Sequence, residues 1–165
     1  MPAPGEAQSR AAFIADLRAE CQAFSEFRQI LQAEQDTLLK NEVDTLLRLA
    51  QSKADKVTQL SQLGEKRSRY LAKLGFTPDR NGMSQWIVAH GGNDSAQVTK
   101  LWHELLDVAG EAQRINQSNG IMIETRLRHN QQALAALQAA ANQGGFYGPD
   151  GQTHWYGIGR PLGKV

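Results

Sequence analysis

Apolar residues recur every three or four positions along most of the chain, the spacing of amphipathic helices rather than of strands. The longest such run is Asp94 to Asn142, which holds no proline. Val98, Leu101, Trp102, Leu105, Val108, Ala109, Ala112, Ile115, Met122, Ile123, Leu127, Leu134, Leu137 and Ala141 form one stripe along it. Asp94 with Gln97 reads as a capping box at its start. Such a helix is about 70 Å long, more than a small bundle wraps all round. The stripe therefore predicts a surplus apolar edge, with an overhang at roughly His129 to Asn142. Asn116, Asn119 and Asn130 fall on or beside the stripe, and Gly120 sits mid-helix. Two readings follow: a local bend with asparagines that fix register, or a surface shaped to receive a partner helix.

Upstream, Leu17, Phe24, Leu31 and Leu38 recur every seven residues, with Phe13 and Phe27 on the intermediate rungs. This is a coiled-coil-like seam on a helix predicted over 9–40, after a disordered lead at 1–8. Asn41 or Asp44 caps a second helix over 44–74, closed by Gly75. Its stripe comprises Leu46, Leu47, Ala50, Ala54, Val57, Leu60, Leu63, Leu71 and Leu74. Thr77-Pro78-Asp79 and Asn81-Gly82 are turn signals. A short helix at 83–90 follows, with Trp86 and Ile87 plugging the end of the bundle, before the long helix at 94–142. Residues 143–165 are rich in glycine and read as a flexible tail, yet they carry Phe146, Tyr147, Trp155 and Tyr156. Those aromatics suit folding onto a partner or back onto the body. The predicted fold is all-α: an elongated antiparallel three-helix bundle with a short connector helix and an overhanging C-terminal helix.

Charge adds exclusions. The chain has 165 residues, suited to one domain, with 18 Lys plus Arg against 17 Asp plus Glu. That balance argues against nucleic acid as the main partner. One cysteine, Cys21, leaves no internal disulfide and fits a reducing compartment. It reads as a small buried hydrophobe. Met1 to Arg10 lacks the regions of a signal peptide, and no run is apolar for long enough to enter a membrane. Lys66, Arg67, Arg69 and Lys73 form a basic cluster, by default a solvated face. His103 and His129 would stand about 39 Å apart on one straight helix, too far to share a metal. No Cys/His cluster, Walker loop or GxSxG motif occurs. Neither catalysis nor a cofactor is expected.

The residues Asn116-Gln117-Ser118-Asn119-Gly120, Glu124, Asn130-Gln131-Gln132-Ala133-Leu134, Tyr147-Gly148 and Gly151-Gln152-Thr153 resemble the C-terminal half of the FlgN family of bacterial flagellar export chaperones. The N-terminal half is similar in character, with long helices, the stretch Glu34 to Leu39 before the reversal, and Gly75 after Leu74. The resemblance implies a cytoplasmic protein that holds the hook-associated proteins of the hook–filament junction and passes them to the flagellar type III export apparatus. Under that reading Leu127, Leu134 and Leu137 are apolar anchors, Asn119, Asn130 and Gln131 orient the client, and Tyr147 adds a clamp. Two rivals stand beside it. One is a structural bundle that self-associates as a homodimer through the same overhang. The other is a histidine phosphotransfer module using His103 or His129; neither histidine precedes the Lys-Gly of that family, and His129 is followed by Asn130, Gln131 and Gln132.

Overall fold

The computed structural model describes residues 4–144. They form α1 (Pro4–Lys40), α2 (Val43–Lys73), α3 (Arg80–His90), a 3-10 turn (Gly92–Asp94) and α4 (Ser95–Gly144). The chain divides into two compact units, Met1–Met122 and Ile123–Val165, and α4 runs through the boundary.

In the first unit the polar pairs fix helix direction. Glu20 pairs with Arg67 and Glu34 with Lys53, so α2 runs antiparallel to α1. Arg10 pairs with Asp94, Arg28 with Glu111 and Gln35 with Ser118, so α4 runs parallel to α1. The result is the expected up-down-up bundle. The seven-residue seam of α1 is its spine: Leu17, Leu31 and Leu38 are fully buried, with Phe13 and Phe27 beside them. Each such side chain contributes about 1.5–3 kcal/mol by leaving water. At one end Trp86 is fully buried, its ring edge-on to Phe13 at 4.6 Å, while Phe13 stacks on Tyr70 at 4.1 Å. Met83, Ile87, Val98 and Trp102 complete this cluster, so α3 plugs the bundle as its sequence implied.

Several boundaries differ from the sequence expectation, each for a local reason. Helix α1 begins at Pro4, inside the expected lead, because proline suits a first helical position and Glu6 sits in the first turn. Asn41 does not cap α2. It takes a left-handed conformation, φ 61°, while its N–H donates to the Leu38 carbonyl and that of Glu42 to the Thr37 carbonyl. This is a Schellman closure of α1. Gly75, φ 83°, closes α2 in the same way, with N–H bonds from Gly75 to Ala72 and from Phe76 to Leu71. Asn81 and Gly82 lie within α3, which begins three residues earlier than expected because Asp79 caps it, accepting from the Gly82 N–H at 2.8 Å. A Cβ at Gly82 would meet the Thr77 carbonyl oxygen at 1.8 Å, so only glycine lets the loop fold this closely. Asp94 closes the 3-10 turn and turns its carboxylate to Arg10, rather than forming the capping box proposed for it.

The largest difference lies in α2. Leu47 and Val57, expected in its core stripe, are 68% and 50% exposed, and Ala50 and Ala54 are exposed with them. Of the expected stripe, Leu46, Leu60, Leu63 and Leu71 do face inward, Leu74 is exposed, and the rest of the inward edge is Leu49, Lys53, Lys56 and Arg67. Its cations reach carboxylates of α1, Lys53 to Glu34, Lys56 to Glu26 and Arg67 to Glu20.

Candidate functional site

Two polar rungs cross the first unit, and one of them holds a residue expected to touch a partner. Asn119 is fully buried. Its amide nitrogen donates to the Leu31 carbonyl and to Glu34 Oε2, both at 2.8 Å. Lys53 Nζ donates to both Glu34 oxygens at 3.1 and 3.0 Å. Asn119 therefore ties α4 to α1 and, through Glu34, to α2. The sequence offers Asn119 as a client-orienting contact, but here its amide nitrogen bonds inside the bundle, and its buried Oδ1 has no partner among the described residues. The local reading, an asparagine that fixes register, is the one the geometry supports. In the second rung Arg67 Nε and one terminal nitrogen reach the two Glu20 oxygens at 2.9 and 3.2 Å, and the guanidinium lies 5.2 Å from the Trp102 ring centroid. Of the basic cluster, Arg67 thus faces inward, whereas Arg69 and Lys66 pair with Glu65 and Asp16 at the surface. Cys21 packs against the core, and burial, then the charges of Glu104 and Glu20, raises its thiol pKa, which disfavours the reactive thiolate.

The second unit offers the contrasting surface. Ile123, Leu127, Asn130, Leu134, Leu137 and Ala141 follow one another at gaps of four, three, four, three and four residues. That is the seam spacing of a coiled coil. No residue of this seam is buried: Ile123 is 41% exposed, Leu127 and Leu134 56%, and Leu137 68%. Asn130 and Gln131 are exposed as well. The structure thus brings Leu127, Asn130, Gln131, Leu134 and Leu137 onto one uncovered stretch of α4. It sets Asn119 apart from them, and Tyr147 lies outside the described residues. The exposed run starts earlier than expected, since from Gly120 to Asn142 every residue except Met122 and Arg126 is exposed. Ile123, part of the stripe read from the sequence though not among the expected client contacts, opens the seam; its place in the four-three spacing joins it to them.

Charge is distributed unevenly along this surface. Glu124 and Arg128 pair at 3.3 Å near its start, but no charged residue occurs from Asn130 to Gly144, where alanine, glutamine and leucine dominate. A helix face of this kind binds by packing rather than by ion pairs. Small side chains let a second helix approach closely, and Asn130 and Gln131 can hydrogen-bond at its margin. Among the described residues no group of three His, Cys, Asp or Glu side chains could hold a metal ion, and no helix is long and apolar enough to cross a membrane.

The chain matches a family model described as FlgN protein over residues 1–154. It is 30% identical over 126 residues to Flagella synthesis protein FlgN of Proteus mirabilis, a match covering 75% of this chain and 77% of that protein. It is 28% identical over 96 residues to the protein of the same name from Salmonella typhimurium, covering 58% of this chain and 66% of that one. A third relative of that name, from Yersinia enterocolitica, is 35% identical over 67 residues, which are 40% of this chain and 45% of the relative. No solved structure matches the chain.

Proposed function

The chain belongs to the FlgN family, and from that premise we propose that it is a cytoplasmic type III export chaperone for flagellar hook-associated proteins. In this role it covers an apolar helix of the client, prevents premature association, and delivers the client to the flagellar export apparatus. The observation that carries the reading is the uncovered seam of α4, with Leu127, Leu134 and Leu137 each more than half exposed.

The physics of the task fits such a seam. A subunit destined for assembly carries apolar helical surface that associates wrongly if left in water. Packing one of its helices along α4 removes that surface, with Leu127, Leu134 and Leu137 as anchors. The seam from Ile123 to Ala141 is about 27 Å long, and specific interfaces bury about 1,200–2,000 Å² in total. Asn130 sits among the anchors and Gln131 beside them. Polar groups there moderate the affinity and so favour release at the export apparatus. Tyr147 adds a clamp from beyond the helix.

The test is Leu134→Asp combined with Leu137→Asp in the full chain. Co-elution with a purified hook-associated protein should be lost, while circular dichroism at 222 nm stays unchanged because neither side chain is core. Retained binding refutes the assignment. Light scattering separates the rival occupant: a stable homodimer that ignores the client would mean that a second copy of the chain covers the seam.

A further inference from the structure

The seam of α4 leaves four large aliphatic side chains in water, and the segment that directly follows the helix carries two adjacent aromatics, Trp155 and Tyr156. Length allows the two to meet. Leu127 lies seventeen residues before Gly144, about 25 Å back along the helix. Trp155 lies eleven residues after Gly144, a reach of up to about 36 Å for extended chain. Gly144-Gly145 and Gly148-Pro149 supply residues that suit a reversal of direction. Charge also allows it. From Asn130 to Gly144 the helix carries none, and neither does Thr153 to Gly159 while His154 is neutral. Covering Leu134 and Leu137 therefore buries no ion, and the charges nearest Leu127 are those of Arg126 and Arg128 beside it. A tethered segment is present at an effective concentration on the order of millimolar, which favours it over a second copy of the chain at cellular concentrations.

We propose that, before a client arrives, Trp155 and Tyr156 lie on Leu127, Leu134 and Leu137 of the same chain, and that the client displaces them. The displacement rests on the export-chaperone reading; the covering does not. Self-covering keeps the seam from associating indiscriminately, and it raises the apparent dissociation constant of any binder in inverse proportion to the open fraction.

The test uses the full chain labelled with 5-fluorotryptophan. Its three tryptophans give three fluorine resonances, and Trp155→Phe identifies the one from Trp155. That line should lie away from its position in a synthetic 145–165 peptide. Leu127→Asp with Leu134→Asp should return it to the peptide position, leaving the Trp86 and Trp102 lines unmoved as proof of an intact core. A Trp155 line that already coincides with the peptide overturns the covering. One that moves on dilution assigns the cover to a second copy and overturns it too. For displacement, Trp155→Ser with Tyr156→Ser should tighten binding of a purified hook-associated protein about 3–10-fold, and unchanged or weaker binding overturns that step. Absence of client binding by either form overturns the displacement and the chaperone reading together, while the fluorine lines still decide the covering.

Discussion

Asn119→Ala separates interior architecture from client recognition. The substitution removes a hydrogen bond to the Leu31 carbonyl and another to the Glu34 carboxylate. The first is worth about 1 kcal/mol and the second, to a charged acceptor, about 1.5–3 kcal/mol. It also removes the buried Oδ1, which has no partner among the described residues, a relief of about 1 kcal/mol or more. A net loss of about 2 kcal/mol follows, which for a chain of this size lowers the melting temperature by about 4–8 °C. Urea unfolding followed at 222 nm measures it, and a double-mutant cycle with Glu34→Ala should return a coupling of about 1–2 kcal/mol. Because the side chain is sealed inside the bundle, affinity for a hook-associated protein should change by less than about twofold, within the usual scatter for a site that makes no contact. Lost client binding with unchanged stability, or a coupling near zero, would refute the interior placement.

Three further outcomes are expected. Arg67→Ala strands the Glu20 carboxylate, whose side chain is 3% exposed, and should cost about 3–5 kcal/mol, whereas Glu20→Leu with Arg67→Met should restore most of the loss; urea midpoints decide. Gly82→Ala forces a methyl onto the Thr77 carbonyl and should cost about 1–3 kcal/mol as overpacking, read from the melting temperature and from near-ultraviolet dichroism of the adjoining tryptophans. The Thr77 hydroxyl, then the Gly82 N–H, holds the Asp79 carboxyl below its ordinary pKa. Its contribution is therefore complete above the unfolded-state value and fades as pH falls through the lower folded-state value. Stability of the native chain and of Asp79→Ala should accordingly converge on acidification; a gap that persists below both values would remove Asp79 as the cap.

Helical spans, the Gly75 closure and the plug by Trp86 and Ile87 are legible from spacing, because local periodicity and turn chemistry agree there with the final packing. The inward edge of α2 is so only in part: Leu46, Leu60, Leu63 and Leu71 lie where the spacing puts them, and the rest does not. Its N-terminal half has two adjacent stripes, and the more apolar one, Val43, Leu47, Ala50, Ala54 and Val57, faces solvent. Lys53, Lys56 and Arg67 turn inward because α1 presents Glu34, Glu26 and Glu20 at matching heights. No pattern within α2 alone carries that information, since the compensating charges lie on another helix. Asn41 shows the same limit on a smaller scale: asparagine serves equally as a cap for the next helix or as a left-handed closure of the last one. At the candidate site, the alternating three- and four-residue spacing of Leu127, Asn130, Leu134 and Leu137 is readable directly. Whether a given rung is covered depends on how far the neighbouring helices extend, so Asn119 and Asn130 look alike in sequence and differ completely in exposure.

The crossings at Glu20 and Glu34 carry a consequence for assembly. Leucines at heptad spacing tolerate a slip of seven residues, because each meets another much like itself. A carboxylate held by Arg67 or by Lys53 and Asn119 does not, because after such a slip it would face hydrocarbon. The three rods thus behave like keyed parts with a single permitted alignment, and a variant with both keys replaced by aliphatic residues should keep its grease yet lose its unique fit.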